Sequence, residues 1–272
     1  MSGKVARYYD DNVQKEQQRL SRDFFSGLEK RIVLHLIDSY FPGHGRLLDV
    51  GGGPGTYARE LLDRGYDVTL VDLSPKAVEE ARRCAAGHPR FRALVLDARE
   101  VGSLGQHAFD CVMVMGPFYH LLTGEERRRA LDAAWTVLKP GGVLMGAAIG
   151  FYAAIAGLIE RRMFDFFISD DVPLDPRLDG YPYVMPEGQG LADFYMTRPG
   201  PFRAFFEERG FRTLSLAGSK GIFTYLGEAL NAAPPEVQEK ATAITLATCE
   251  DPDIVGLSNH FFYVGQKPPA DA

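Results

Sequence analysis

An α/β architecture, a mostly parallel sheet with helices on both faces, is the fold class this sequence predicts. Three observations predict it. Short apolar runs ending in an acid or a glycine alternate with amphipathic segments of helical period. One run, Leu47-Leu48-Asp49-Val50, empties into the turn Gly51-Gly52-Gly53-Pro54-Gly55-Thr56. Another, residues 109–115 (FDCVMVM), is apolar nearly throughout, as a strand buried on both faces must be. At 272 residues and 46% hydrophobic content, the chain fits one large domain, or one domain with a lid.

Residues 1–45 read as helical. Val5, Tyr8, Tyr9 and Val13 precede a polar run, and Leu20, Phe24, Phe25, Leu28, Ile32 and Leu36 then recur at helical spacing. Two roles are open: a helix pair packed over the core, or a flap that brings Tyr8 and Tyr9 over a ligand. Phe41, Pro42 and Gly43 stop the helix.

Residues 46–50 are the first strand. The glycines after it permit unusual backbone angles and let a ligand approach the main chain closely. Gly51, Gly53 and Gly55 give G-x-G-x-G, with Thr56 where a dinucleotide fingerprint needs its third glycine. Asp49 would repel a pyrophosphate and attract an ammonium or sulfonium. The turn therefore points to S-adenosylmethionine.

Residues 57–64 form a short helix, with Tyr57, Leu61 and Leu62 facing the sheet, and residues 67–72 (DVTLVD) the second strand. Asp72 ends that strand about 20 residues after the glycine turn, where a carboxylate accepts both ribose hydroxyls. It is also placed to cap the helix that Ser74-Pro75 begins. Residues 77–84 are helical, and residues 91–96 the third strand, ending at Asp97-Ala98. There Asp97 takes an adenine amino group while the Ala98 amide donates to a ring nitrogen; the alternative is that Asp97 caps the following turn.

Residues 109–115 are the fourth strand, beside the first across the switch point. Main-chain atoms of Met115 and Gly116 face the ligand's amino-acid end. Tyr119 and His120 follow at the mouth, His120 as a base or as a packed residue. Residues 125–138 form an amphipathic helix with Ala130, Leu131, Ala134, Trp135 and Leu138 inward; Lys139-Pro140-Gly141-Gly142 ends it, and residues 143–149 are the fifth strand.

The alternation then breaks. Tyr152, Ile155, Ile159, Met163, Phe166 and Phe167 make an apolar helical face, followed by a loop with Asp170, Asp171, Tyr181, Tyr183, Glu187, Asp193 and Tyr195. Connections this long usually serve as lids or binding loops; an oligomer contact is the alternative. Residues 201–209 are a helix, 211–217 a sixth strand, 222–230 and 235–249 helical, and 260–265 a last strand. The expected organisation is a flap (1–45), a cofactor core (46–150), a lid insertion (151–200) and a return to the core (201–272).

The balance of 30 Lys and Arg against 36 Asp and Glu, a net charge of −6, argues against a nucleic-acid partner. The basic run at residues 127–129 reads as a solvated helix face. Residues 1–40 are charged throughout, unlike a signal peptide, and no apolar run is long enough to span a bilayer. The expected setting is cytoplasmic, with no membrane partner and a monomer or homodimer. Cys84, Cys111 and Cys249 are far apart and fit reduced thiols. The six histidines lack ligand spacing, so no metal is expected.

With these pieces in place, the chain resembles the class I S-adenosylmethionine-dependent methyltransferases, in their small-molecule branch. The resemblance covers nearly the whole chain. It is carried by Leu47-Leu48-Asp49-Val50-Gly51-Gly52-Gly53-Pro54-Gly55, Val71-Asp72-Leu73-Ser74, Leu96-Asp97-Ala98, Met115-Gly116-Pro117-Phe118-Tyr119-His120-Leu121, Leu138-Lys139-Pro140-Gly141-Gly142, and the strand after Leu257-Ser258-Asn259. It implies a Rossmann-like sheet of seven strands, the last antiparallel. It also implies a glycine turn around the methionine part of the cofactor, ribose at Asp72 beside Leu73, and adenine at Asp97. No Asn-Pro-Pro-Tyr motif, the mark of nucleic-acid and glutamine amide methylation, follows the fourth strand; Gly116-Pro117-Phe118 stands there. A small metabolite is the expected substrate.

Methyl transfer from a sulfonium needs alignment and exclusion of water rather than a metal. Tyr8, Tyr9, Phe118 and Tyr119 are candidates for cation–π attraction to the sulfonium. His120, Glu187 or a tyrosinate (Tyr9 or Tyr119) are candidate bases. Three other readings remain open. One is ring closure of the cofactor itself, as in azetidine-2-carboxylate synthases, with release of methylthioadenosine. The others are a non-catalytic cofactor-binding subunit and, opposed by the glycine spacing and Asp49, a dehydrogenase.

Overall fold

Apolar runs of strand length separated by helical ones force a layered structure, and the computed structural model describes it for residues 2–85, 87–160, 164, 179–184 and 192–270. The chain opens with α1 (Ser2–Asp11), α2 (Val13–Gln18) and α3 (Phe24–Tyr40), then β1 (Gly45–Val50), α4 (Ala58–Asp63), β2 (Tyr66–Asp72), α5 (Pro75–Cys84) and β3 (Phe91–Val95). After a 3-10 turn (Ala98–Leu104) come β4 (Phe109–Val114), α6 (Pro117–His120), α7 (Gly124–Val137), β5 (Leu138–Gly150) and α8 (Phe151–Glu160). The described remainder holds β6 (Gly180–Tyr183), β7 (Phe194–Thr197), α9 (Pro199–Glu207), β8 (Arg212–Gly218), α10 (Gly227–Ala232), α11 (Pro235–Thr248), α12 (Pro252–Val255) and β9 (His260–Gln266).

The main sheet runs β3-β2-β1-β4-β5-β9-β8. Pairings from β3 through β5 are parallel, and β9 is antiparallel to both β5 and β8. These seven strands, with a single reversed one, are the expected sheet. β1 lies between β2 and β4, so the crevice of the switch point opens above Val50 and Val114.

Two strands were not expected. β6 and β7 form a hairpin inside the insertion, and β7 joins the end of β5 at Ile149↔Met196 and Gly150↔Thr197. Each has 4 residues, too short to show a period, and Pro182 sits within β6. Other boundaries also moved. Lys139 to Gly142 do not separate helix from strand; β5 already begins at Leu138, with an irregular register against β4 between Phe109 and Cys111. The helix expected over 222–230 is a 3-10 turn (Gly221–Phe223) followed by α10. On α8, Phe151 and Ala153 are buried and Ile155 of the expected face packs beside Phe151, while Tyr152 and Ile159 of that face are exposed. Met163, Phe166, Phe167, Asp170, Asp171 and Glu187 lie outside the described residues.

Strand alternation divides the core between the two faces. Leu47, Met113, Met145 and Phe262 meet Ile32, Val33, Leu36 and Ile37 of α3. Leu48, Val112, Leu144 and Phe261 meet Leu131, Ala134 and Val137 of α7 and Phe202 and Phe206 of α9. Each such Leu, Ile or Phe fully buried contributes about 1.5–3 kcal/mol. Asp23 caps α3 by accepting from the Ser26 amide at 2.7 Å, and Thr123 with Glu126 forms a capping box at α7. The N-terminal segment therefore divides in two: α3 packs on the sheet, while α1 lies across the crevice. Cys111 and Cys249 are buried and Cys84 is exposed, all as free thiols. No described helix is long and apolar enough to cross a membrane.

Candidate active site

The crevice holds a cavity that is partly open to solvent. Its floor is the glycine turn. The Gly51 and Gly52 amides donate to the Val71 carbonyl at 2.8 and 3.3 Å, tying the turn to β2. Gly51 has φ +74, and a Cβ there would lie 2.6 Å from Pro117 Cδ, so no larger residue fits. Gly53 has φ +54, and a Cβ there would meet nothing within 4 Å. Its bare face opens into the cavity that it lines.

Asp49 is the least ordinary group in the site. It is fully buried, lines the cavity, and neither carboxylate oxygen has a hydrogen-bond partner among the described residues. Burial, with a smaller contribution from Asp72, pushes its pKa up to about 7. Buried polar atoms are nearly always paired, so an orphaned acid facing a cavity calls for a partner from outside the chain. The Tyr57 hydroxyl is a second orphan on the same cavity. Arg19 supplies a cation there, its Nε on Glu16 at 3.2 Å and its Nη1 on Glu29 at 3.0 Å. An orphaned acid together with an arginine and a free hydroxyl fits the methionine end of S-adenosylmethionine, which carries both a positive centre and a carboxylate.

Asp72 lines the cavity with Leu73. Its Oδ2 accepts from the Gly53 amide and its Oδ1 from the Ser74 amide, both at 2.8 Å. Burial raises its pKa, partly offset by these amides. The cap of α5 is Ser74, whose Oγ accepts from the Ala77 amide at 3.0 Å, so the capping alternative falls to Ser74 and not Asp72. At β3 the capping alternative is the one observed: Asp97 Oδ1 accepts from the Arg99 amide at 2.9 Å. The same carboxylate is gripped by the Arg99 side chain at 2.9 and 2.6 Å, and Arg99 Nη1 reaches Glu126 at 2.8 Å. Burial works to raise the Asp97 pKa, but the Arg99 hydrogen bonds overcome it. Asp97, Ala98 and Glu126 all line the cavity.

Across the cavity, Met115, Gly116, Tyr119 and His120 form the wall after β4, and Tyr9 of α1 closes on it. His120 Nδ1 lies 2.8 Å from the Asp193 carbonyl, which only accepts, so Nδ1 carries the proton. Nε2 is then bare and accepts from the Tyr9 hydroxyl at 2.7 Å. Burial lowers the His120 pKa to about 4, and the Asp193 carbonyl opposes this only in part. The ring is therefore neutral at pH 7. The Tyr119 ring lies edge-on to His120, centroids 4.8 Å apart.

Two expected residues are elsewhere. Tyr8 packs edge-on to Tyr9 at 5.2 Å and is not a wall of the cavity, because the α1 face that turns inward carries Val5, Ala6 and Tyr9. Phe118 is buried among Phe202, Phe205 and Phe206. Arg19, Glu16 and the Tyr57 hydroxyl were not anticipated. Arg19 and Glu16 lie in a polar run that reads as surface, and Tyr57 reads as core, which its ring is.

Residues 47–142 match the methyltransferase domain family. Those residues form a methyltransferase domain of the class I S-adenosylmethionine-dependent kind. S-adenosylmethionine is its cofactor, and its activity is that of a transferase. The tRNA 5-carboxymethoxyuridine methyltransferase of Escherichia coli K12 is 24% identical over 274 residues, covering 96% of this chain and 97% of the relative. The glycine/sarcosine N-methyltransferase of Aphanothece halophytica is 27% identical over 219 residues, covering 78% and 82%. The 1,6-didemethyltoxoflavin-N1-methyltransferase of Burkholderia thailandensis, solved with bound 1,6-didemethyltoxoflavin and S-adenosylhomocysteine, shares the fold at a TM-score of 0.57 and 14% identity. That alignment covers 98% of this methyltransferase and 88% of the other chain.

Proposed function

We propose that this methyltransferase methylates a small molecule enclosed between the glycine turn and α1. The observation that carries the reading is how α1 is fastened across the cavity. On the β2 side, Asp10 accepts from Ser74 Oγ at 2.5 Å and from the Lys76 amide at 3.1 Å. On the other side, Tyr9 bonds His120, and Lys4 pairs with Asp193 of the insertion at 2.7 Å. On this reading α1 acts as a flap, tied to the insertion at Asp193, and the covered crevice suits a metabolite better than a polymer. The net charge of −6 supports the same choice. Of the two curated relatives, the glycine/sarcosine enzyme is named for small acceptors and the Escherichia coli enzyme for tRNA.

In this reading Asp72 holds the ribose, Asp97 and the Ala98 amide hold the adenine, and the glycine turn with Met115 and Gly116 surrounds the methionine end, with Asp49 facing its positive charge. Bound S-adenosylmethionine supplies a methyl group already activated on sulfur. The chain's own contribution is alignment, worth up to about 7–11 kcal/mol, and a dry chamber. For an acceptor that sheds a proton, Tyr9 Oη receives it while the Tyr9 proton passes to His120 Nε2. The Nδ1–H of the resulting imidazolium stays on the Asp193 carbonyl. Burial opposes that charge, but transfer removes one positive charge from the same cavity, so the total is conserved. Tyr119 packs on the imidazole and keeps it in place.

The test is incubation with methyl-labelled S-adenosylmethionine and either a small-molecule cell extract or total RNA. The reading predicts S-adenosylhomocysteine and label in the small-molecule fraction. Label in RNA overturns the substrate class, and methylthioadenosine formed with no acceptor overturns methyl transfer in favour of ring closure.

A further inference from the structure

We propose that Glu29 is a positioning residue for the cofactor's carboxylate, acting through Arg19. The inference rests on the cofactor placement above. Glu29 is 4% exposed and belongs to α3, outside the cavity wall. It is a buried acid that the methyl-transfer step does not use. Its Oε1 accepts from Arg19 Nη1 at 3.0 Å, and its Oε2 accepts from His260 Nδ1 at 2.9 Å. The His260 ring in turn stacks on Tyr119, centroids 5.8 Å apart and 11° between planes. One carboxylate therefore fixes two walls of the cavity, Arg19 directly and Tyr119 through an imidazole.

Arg19 follows α2 and is held by no helix of its own. A long side chain at such a place loses much rotamer freedom when it grips a ligand. Here that freedom is already removed, because Nε rests on Glu16 and Nη1 on Glu29. Among the described residues no other side chain bonds the guanidinium, so its remaining N–H groups are open to a ligand in the cavity that Arg19 lines. A planar fork held at two points suits a carboxylate, and the orphaned Tyr57 hydroxyl adds a third donor. A purely structural ion pair would serve to join α3 to β9, but Ile32 and Leu36 already pack in one cluster with Phe262. Burial works to raise the Glu29 pKa, and His260 and Arg19 hold it well below the usual range, so the acid stays ionised.

The experiment is calorimetry on the full chain with two ligands: S-adenosylmethionine, and decarboxylated S-adenosylmethionine, which keeps the ammonium and sulfonium. Glu29→Gln should weaken S-adenosylmethionine by roughly tenfold or more and leave the decarboxylated ligand within about twofold. Arg19→Ala should show the same selectivity, and Glu29→Gln should add nothing to it. Equal loss for both ligands, no loss for either, or additive losses overturn the proposal. Should Glu29→Gln not fold, Glu16→Gln loosens the same guanidinium from the other side. It should give a smaller loss of the same selectivity, and its absence also overturns the proposal. A wild-type chain that takes up neither ligand instead overturns the cofactor placement itself.

Discussion

On the sheet side of the cavity, the contacts that shape the site are made by main chain close to strand ends. Gly51 and Gly52 bond Val71, Asp72 bonds the Gly53 and Ser74 amides, and Asp97 bonds the Arg99 amide. On the α1 side, the contacts join side chains distant in sequence: Tyr9 with His120 across 111 positions, Lys4 with Asp193 across 189, Glu29 with His260 across 231. The first side is fixed by backbone geometry, which the fold cannot relax without losing the turn. The second is fixed by side-chain chemistry and is free to vary while the sheet stays the same.

Substitutions separate the two sides, and the largest effect belongs to the turn. Gly53→Val should lower S-adenosylmethionine affinity by about two orders of magnitude or more in calorimetry, since its side chain takes the ligand's space. The protein should still fold, at a cost of about 1–2 kcal/mol for a β-branched residue at φ +54. Unchanged binding would remove the turn from the site. Tyr9→Phe keeps the ring and deletes the hydroxyl on His120; turnover should fall by about a hundredfold while cofactor affinity stays within about twofold. A change in affinity with normal turnover would merge the two sides that the structure keeps apart. Asp72→Ala should weaken cofactor binding by about 1.5–3 kcal/mol, with no selective effect on the acceptor KM. Asp10→Ala frees one end of α1 and should cost about 0.5–1.5 kcal/mol of affinity, read as faster cofactor release in stopped flow.

The same division explains what the amino-acid sequence reveals. The seven core strands and the placement of Asp49, Asp72, Asp97 and Gly116 around one crevice are written in local patterns: an apolar run, then an acid or a glycine; the reversal of the last strand is implied only by the family resemblance. The β6–β7 hairpin is not, because four-residue strands have no readable period. Arg19 and Glu16 look like solvated charges until α3 brings Glu29 beside them. Tyr8 and Tyr9 are adjacent and chemically alike, and only the inward turn of α1 places one on the cavity and the other behind it. Asp97 shows that two readings of one residue are compatible, since it caps its turn and still borders the cavity.

The central claim is that Asp49 awaits the cofactor's positive charge. Its pKa in the folded chain, about 7, lies above the unfolded value of about 3.9. Ionising it therefore costs folding stability as pH rises from about 4 towards 7, and a bound cation restores the ionised form. The decisive measurement is S-adenosylmethionine binding by calorimetry from about pH 5 to 7.5, in buffers of different ionisation enthalpy. Affinity should rise close to tenfold per pH unit below about 7 and level off above it. Nearly one proton should be released per cofactor at the acid end, and Asp49→Asn should bind weakly with a flat profile. A wild-type profile that is flat, with no proton released, would contradict the account.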